Sequence, residues 1–144
     1  MNSLREPNFS TVIGISEMAL QNVSVDVINL NIAEVGGMIG DIVTVTVDRP
    51  LGSYHPEHKD IYYPINYGYI EGILAADGEP QDAYILGVNE VVKKFTGKIV
   101  AIIHRLNDIE DKWVVCPENM KITREEIIEK VQFQEQYFRS EVIM

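Results

Sequence analysis

One cysteine, Cys116, is all the thiol this 144-residue chain holds. It excludes an intrachain disulfide and any multi-cysteine metal site. Its setting, W-V-V-C-P, reads as a strand, so a buried structural thiol is expected. Basic residues are scarce as well: 12 Lys and Arg stand against 22 Asp and Glu, a net charge of −10. A general electrostatic grip on nucleic acid or on an anionic membrane surface is thereby excluded, and neither is expected as a partner. No apolar run reaches the roughly 18 residues that span a bilayer. The N-terminus has no basic region followed by an apolar core, so no secretory signal is visible and a cytoplasmic location is expected. A Walker loop, G-x-G-x-x-G and G-x-S-x-G are all missing, which leaves those enzyme classes without support.

What is present suits one folded domain with a single core: 46% apolar and 24% charged residues. Residues 1–37 differ from the rest, with few charges and many Asn and Ser, ending in Gly36-Gly37. They are set apart as a segment of unknown role. Within them 23–27 suggests a strand and 15–20 a short helix. Residues 38–144 form the main domain. There, D-I-V-T-V-T-V-D at 41–48 alternates β-branched and polar residues and predicts a strand. A loop follows over 49–60, then strand, turn and strand over 61–74 around Asn66 and Gly68. A turn at 77–81 leads to a strand at 82–88, and 92–98 reads as a connection. The run K-I-V-A-I-I-H-R (98–105) predicts a buried strand, 106–111 an acidic turn and 112–116 the partner strand. Thr123 and Glu126 form a capping box, with Ile122 and Ile127 placed as a hydrophobic staple. Ile127, Val131 and Phe138 give the helix its apolar stripe. Many short strands followed by one helix predict a mainly-β or α+β domain, a small antiparallel barrel or curled sheet closed by a C-terminal helix.

Two acidic clusters carry the chemistry. Asp77, Glu79 and Asp82 fall within six residues, separated by Gly78 and Pro80. Carboxylates that close repel one another unless a cation lies among them, which makes this bent loop a candidate magnesium site. The second cluster, Asp108, Glu110 and Asp111 before Lys112, reads first as a polar turn. If both turns meet at one end of a barrel, they would hold magnesium ions that bridge phosphate oxygens. Tyr67 is either a core aromatic or a phosphate donor. Tyr137 is either helix-to-sheet packing or part of the same cleft. Arg49, at the exit of the first strand, lines that cleft or belongs to an ordinary loop. His55 and His58 sit in a Pro-containing loop without zinc-type spacing.

Y-P-I-N-Y-G-Y-I (63–70) followed by D-G-E-P-Q-D (77–82) resembles the signature of the family I soluble inorganic pyrophosphatases. The stretch E-D-K-W-V-V-C-P (110–117) is similar to their D-x-K, apolar strand and Pro. Phe133, Glu135 and Tyr137 resemble the end of their C-terminal helix. The likeness spans about residues 40–140. It implies a small OB-like five-stranded β-barrel closed by a C-terminal helix, with Mg2+-dependent hydrolysis of pyrophosphate to two phosphates. It also implies a homo-oligomer. Asp77, Asp82 and Glu110 would ligate magnesium, with Asp108 as a further acid. Glu79 would be the general base. Tyr67, Tyr137, Arg49 and Lys59 would bind substrate, and Lys112 would support both phosphate and carboxylates. Glu79 stands where the family has Asp, and both the 48–63 stretch and the 107–111 turn are short, which marks a compact, divergent relative. Hydrolysis of another phosphoanhydride or phosphate ester, or metal and phosphate binding without catalysis, are the alternatives.

Overall fold

Alternating β-branched residues in Ile42–Arg49 (β1) supply one buried side chain, Val45, and two edges for pairing. A computed structural model of the chain describes residues 38–108 and 110–144. The strand and helix expected within 1–37 lie outside the described residues. β1 is followed by Asn66–Leu74 (β2), Pro80–Ile85 (β3), Lys94–Arg105 (β4), Asp111–Cys116 (β5), the helix Arg124–Glu135 (α1) and Ser140–Ile143 (β6).

β1 pairs with both β2 and β4, which closes the ring β1-β2-β3-β5-β4 into a five-stranded barrel. β3 and β5 run parallel, so the barrel is mixed rather than wholly antiparallel. β4 is long enough to serve two partners along one edge. Residues 94–98 pair with β1, and 102–105 pair with β6. Strand alternation sorts the buried residues into two sets. Val45, Ile70, Ala83, Ile85, Trp113 and Val115 point into the barrel. Tyr67, Tyr84, Ala101, Ile103, Val114 and Cys116 face outward, and Ile127 and Val131 of α1 cover them.

Several local expectations are corrected. Asn66 does not turn the chain. Its buried amide accepts from Leu51 N–H at 3.0 Å and donates to the Glu90 carbonyl at 2.9 Å, so it braces two loops from within β2. Residues 61–65 accordingly form no strand, only a bridge between Tyr54 and Tyr62. β4 begins at Lys94, inside the expected connection, because Phe95 and Thr96 pair with Val45 and Thr44. β3 starts at Pro80 and ends at Ile85, since the turn before it closes by Glu79. Asp111 opens β5 rather than ending the acidic turn, and pairs with His104. β6 was not expected at all.

The capping box at Thr123 and Glu126 is present. Ile122 packs on the same cluster as Ile127, as the staple requires. The apolar stripe is shorter than expected, because Phe138 lies past the last helical residue, Glu135. The buried face of α1 continues as Gln134 and Glu135.

Candidate active site

A bulge in β1 sets the first side chain of the site. Val47 pairs with Gly68, but the next partner of Tyr67 is Arg49, with Asp48 as the extra residue. In a regular ladder Asp48 would face Tyr67. The bulge replaces an acid with a guanidinium on the face that α1 covers. Alternation places Asp82 beside Tyr84 on that outer face of β3, and Lys112 beside Val114 on that of β5. The end of α1 adds Gln134.

These residues wall a cleft of about 520 Å³. Arg49, Arg105 and Lys112 bring positive charge to it, and Asp60, Asp82 and Glu110 negative charge. Tyr67, Gln134, Tyr137 and Phe138, with His55, His58 and Ile61, complete the wall. A chain of net charge −10 thus gathers three of its 12 basic residues around one depression.

Lys112 organises the floor. Its Nζ donates to Asp82 Oδ2 at 2.6 Å and to Glu110 Oε1 at 2.8 Å. The lysine is 4% exposed. Burial alone would lower its pKa; the Tyr67 oxygen and the two carboxylates reverse this and hold it above the ordinary lysine value. The Tyr67 ring lies 5.8 Å from Lys112 Nζ and 5.4 Å from Arg49 Cζ, close enough for both cations to meet its π face. Burial, with Asp82 nearby, pushes the Tyr67 phenol well up, so it stays a neutral O–H donor at neutral pH.

Arg105 is fixed by Glu135: Nε to Oε1 at 3.2 Å and Nη2 to Oε2 at 2.8 Å, a two-pronged pair. Nη1 stands 3.7 Å from Glu110 and 3.9 Å from Asp108. The Phe138 ring covers the guanidinium at 3.6 Å. Burial would raise the Glu135 pKa, but hydrogen bonds from Arg105, Tyr84 and Ser140 hold it below the usual carboxylate range. His55 accepts at Nδ1 from the backbone N–H groups of Glu57 and His58, at 3.0 and 3.2 Å. Burial and the neighbouring Arg49 and His58 lower its pKa, consistent with a neutral ring.

Of the expected site residues, Arg49, Tyr67, Asp82, Glu110, Lys112 and Tyr137 meet at this cleft. Asp77 and Glu79 stand exposed on the β2–β3 turn, outside its wall. There Asp77 Oδ1 accepts from Glu79 N–H at 3.0 Å, and Gly78 takes φ +85°, where glycine is favoured. Asp108 borders the cleft through Arg105. Lys59 is exposed in the loop and forms no part of the wall. Arg105 and Gln134 were not foreseen, and Glu135 was named only in the likeness of the helix end, without a role. A signal existed: Ala101, Ile103 and Arg105 alternate on one face of a buried strand, and 127, 131, 134 and 135 share one face of a helix.

Among the described residues, no group of three or more His, Cys, Asp or Glu side chains is drawn together as a ready metal cage. Asp82 and Glu110 nevertheless converge on one point, now taken by an ammonium. One or two carboxylate oxygens, completed by water and phosphate, are what Mg2+ asks of a protein, so this donor set fits it. Among the described residues no helix is long and apolar enough to cross a membrane.

No protein-family model matches the chain. Over 56 residues it is 36% identical to an inorganic pyrophosphatase of Caulobacter vibrioides. That match covers 37% of this chain and 32% of the relative's length. The fold is similar to a solved inorganic pyrophosphatase from Neisseria gonorrhoeae, with a TM-score of 0.51 and 19% identity over 68% of this chain and 74% of the other. It is also similar to one from Ehrlichia chaffeensis, with a TM-score of 0.53 and 17% identity over 72% and 85%. The chain therefore shares the barrel of the solved inorganic pyrophosphatases, and part of its sequence resembles a curated one.

Proposed function

We propose that this cleft hydrolyses inorganic pyrophosphate to two phosphates with magnesium bound. The observation that carries the reading is the meeting of Asp82, Glu110, Lys112 and Tyr67 in one cleft, on a barrel shared with solved inorganic pyrophosphatases. Asp82 and Glu110 would hold Mg2+, with Asp77 joining from the turn and Asp108 from the next. Magnesium there would neutralise phosphate charge and make a water more acidic. Arg49, Arg105 and Lys112 would take the remaining phosphate charge, and Tyr67 and Tyr137 would donate their hydroxyls. Glu79 would take the proton from the attacking water. Arg105 serves in the role expected of Lys59, because it is buried at the cleft while Lys59 is not. The P–O–P bridge breaks and water adds across it, so the protein's task is positioning and charge neutralisation.

A cytoplasmic location and a homo-oligomeric state belong to the same proposal. A single buried thiol without a disulfide suits a reducing compartment, and sedimentation tests the assembly. The substrate is tested by phosphate release with Mg2+ from pyrophosphate, a nucleoside triphosphate and a phosphomonoester. Release from pyrophosphate alone supports the reading, and release from either of the others in its place overturns it.

A further inference from the structure

Arg49 ends β1 and Arg105 ends β4, yet one chain of hydrogen bonds joins them. Arg49 Nη1 donates to the Tyr63 oxygen at 2.6 Å. Tyr63 O–H donates to Gln134 Oε1 at 2.6 Å, and Gln134 Nε2 donates to the Tyr84 oxygen at 2.8 Å. Tyr84 O–H then donates to Glu135 Oε2 at 2.7 Å, on the carboxylate that Arg105 grips with two nitrogens. Tyr63 and Tyr84 are fully buried, and Gln134 and Glu135 are each 6% exposed.

The sense of this chain is fixed. A guanidinium only donates and a carboxylate only accepts, so neither hydroxyl nor the amide between them can reverse. Every bond is polarised the same way, from the Arg49 cation toward the Glu135 anion. In low-dielectric surroundings such bonds strengthen one another, and losing one leaves its neighbours unsatisfied. Aromatic packing holds the carriers in place: Tyr67 lies 5.6 Å from Tyr63 and 5.1 Å from Tyr84, centroid to centroid. Two polar residues at the buried end of α1, where the helix stripe calls for apolar ones, would otherwise destabilise the packing.

We infer that Gln134 and Glu135 are positioning residues: through Tyr63 and Tyr84 they lock Arg49 and Arg105 as a matched pair of cations. The ligand this favours carries two linked anionic groups, one for each guanidinium, over a single phosphate. The inference rests on reading the cleft as a pyrophosphate site and goes beyond it in naming what sets the preference for a diphosphate. Neither tyrosine nor the Glu135 side chain walls the cleft, so all three act through the arginines.

The test is calorimetric binding, with Mg2+ present, of methylenediphosphonate (a diphosphate that water does not cleave) and of inorganic phosphate. The full chain is compared with Tyr63→Phe, Tyr84→Phe, the double variant and Ser140→Ala. Ser140 donates to Glu135 at 2.8 Å but lies outside the chain, so it serves as control. Each Tyr→Phe change should weaken the diphosphonate about tenfold, because it removes a hydroxyl that accepts one hydrogen bond and donates the next in a buried charge network. Phosphate binding should change by less than about twofold, and the double variant should bind little worse than either single one, since a broken chain cannot be broken again. Ser140→Ala should keep the wild-type preference. Equal losses for both ligands, losses that add, or no diphosphonate binding by the wild type overturn the inference. If Tyr63→Phe does not fold, Tyr84→Phe against Ser140→Ala decides by the ratio of the two affinities. Wild-type preference for the diphosphonate without phosphate release from pyrophosphate would sink the hydrolase reading and leave the inference standing.

Discussion

Lys112 Nζ sits 2.6 Å from Asp82 Oδ2, across the parallel β3–β5 pair of the barrel, and so already occupies cationic space among the carboxylates of the cleft. Lys112→Met leaves Asp82 and Glu110 to repel one another and removes a donor from the phosphate. Phosphate release from pyrophosphate should fall by roughly 10²–10³-fold, the range seen when one preorganised donor is lost. Steady-state kinetics of the variant, with circular dichroism to confirm folding, measure this.

Glu135 ties stability to pH. Its folded pKa lies below the usual carboxylate range, so the unfolded chain binds a proton more readily. The stabilisation is complete above the ordinary Glu value and is lost as pH falls through the lower, folded value. Glu135→Gln should lower stability at pH 7 by roughly 3–5 kcal/mol, because it leaves Arg105 buried without its counter-charge. The same variant should lose part of the acid-limb slope. Urea melts at several pH values compare the two proteins, and an unchanged slope contradicts the role of Glu135.

Gly68 tolerates no side chain. A Cβ there would run into the Thr46 carbonyl and come within 2.8 Å of Val47 Cα, both backbone on the paired strand. Gly68→Ala must therefore push β1 from β2 at the bulge that aims Arg49. A loss of about 3 kcal/mol or more is expected by chemical denaturation.

Cys116 is inert in the folded protein. Burial pushes its thiol up to about 11. A disulfide reagent at pH 8 should leave it unmodified in the native state and modify it fully in denaturant. Rapid native-state labelling contradicts the packing of β5 against α1.

β1 was legible because its β-branched residues alternate with the strand period, and β5 because W-V-V-C is an apolar run buried on both faces. Asn66 was misread because Asn near Gly signals a turn locally, while its hydrogen bonds run to Leu51 and Glu90 far along the chain. β6 was invisible for the same reason: four residues whose pairing depends wholly on Ile102–Arg105. In the site, Asp82, Lys112 and Tyr67 were legible as a motif. The pairing of Arg105 with Glu135 was not, since a buried ion pair across 30 positions leaves no local trace beyond two polar residues on apolar faces.

The most direct measurement is phosphate release from pyrophosphate by the wild type and by Asp82→Ala, each with Mg2+ and with chelator. Release that needs Mg2+ and disappears in Asp82→Ala is the expected result. Release that survives chelation, or persists in Asp82→Ala, would contradict the assignment of this cleft.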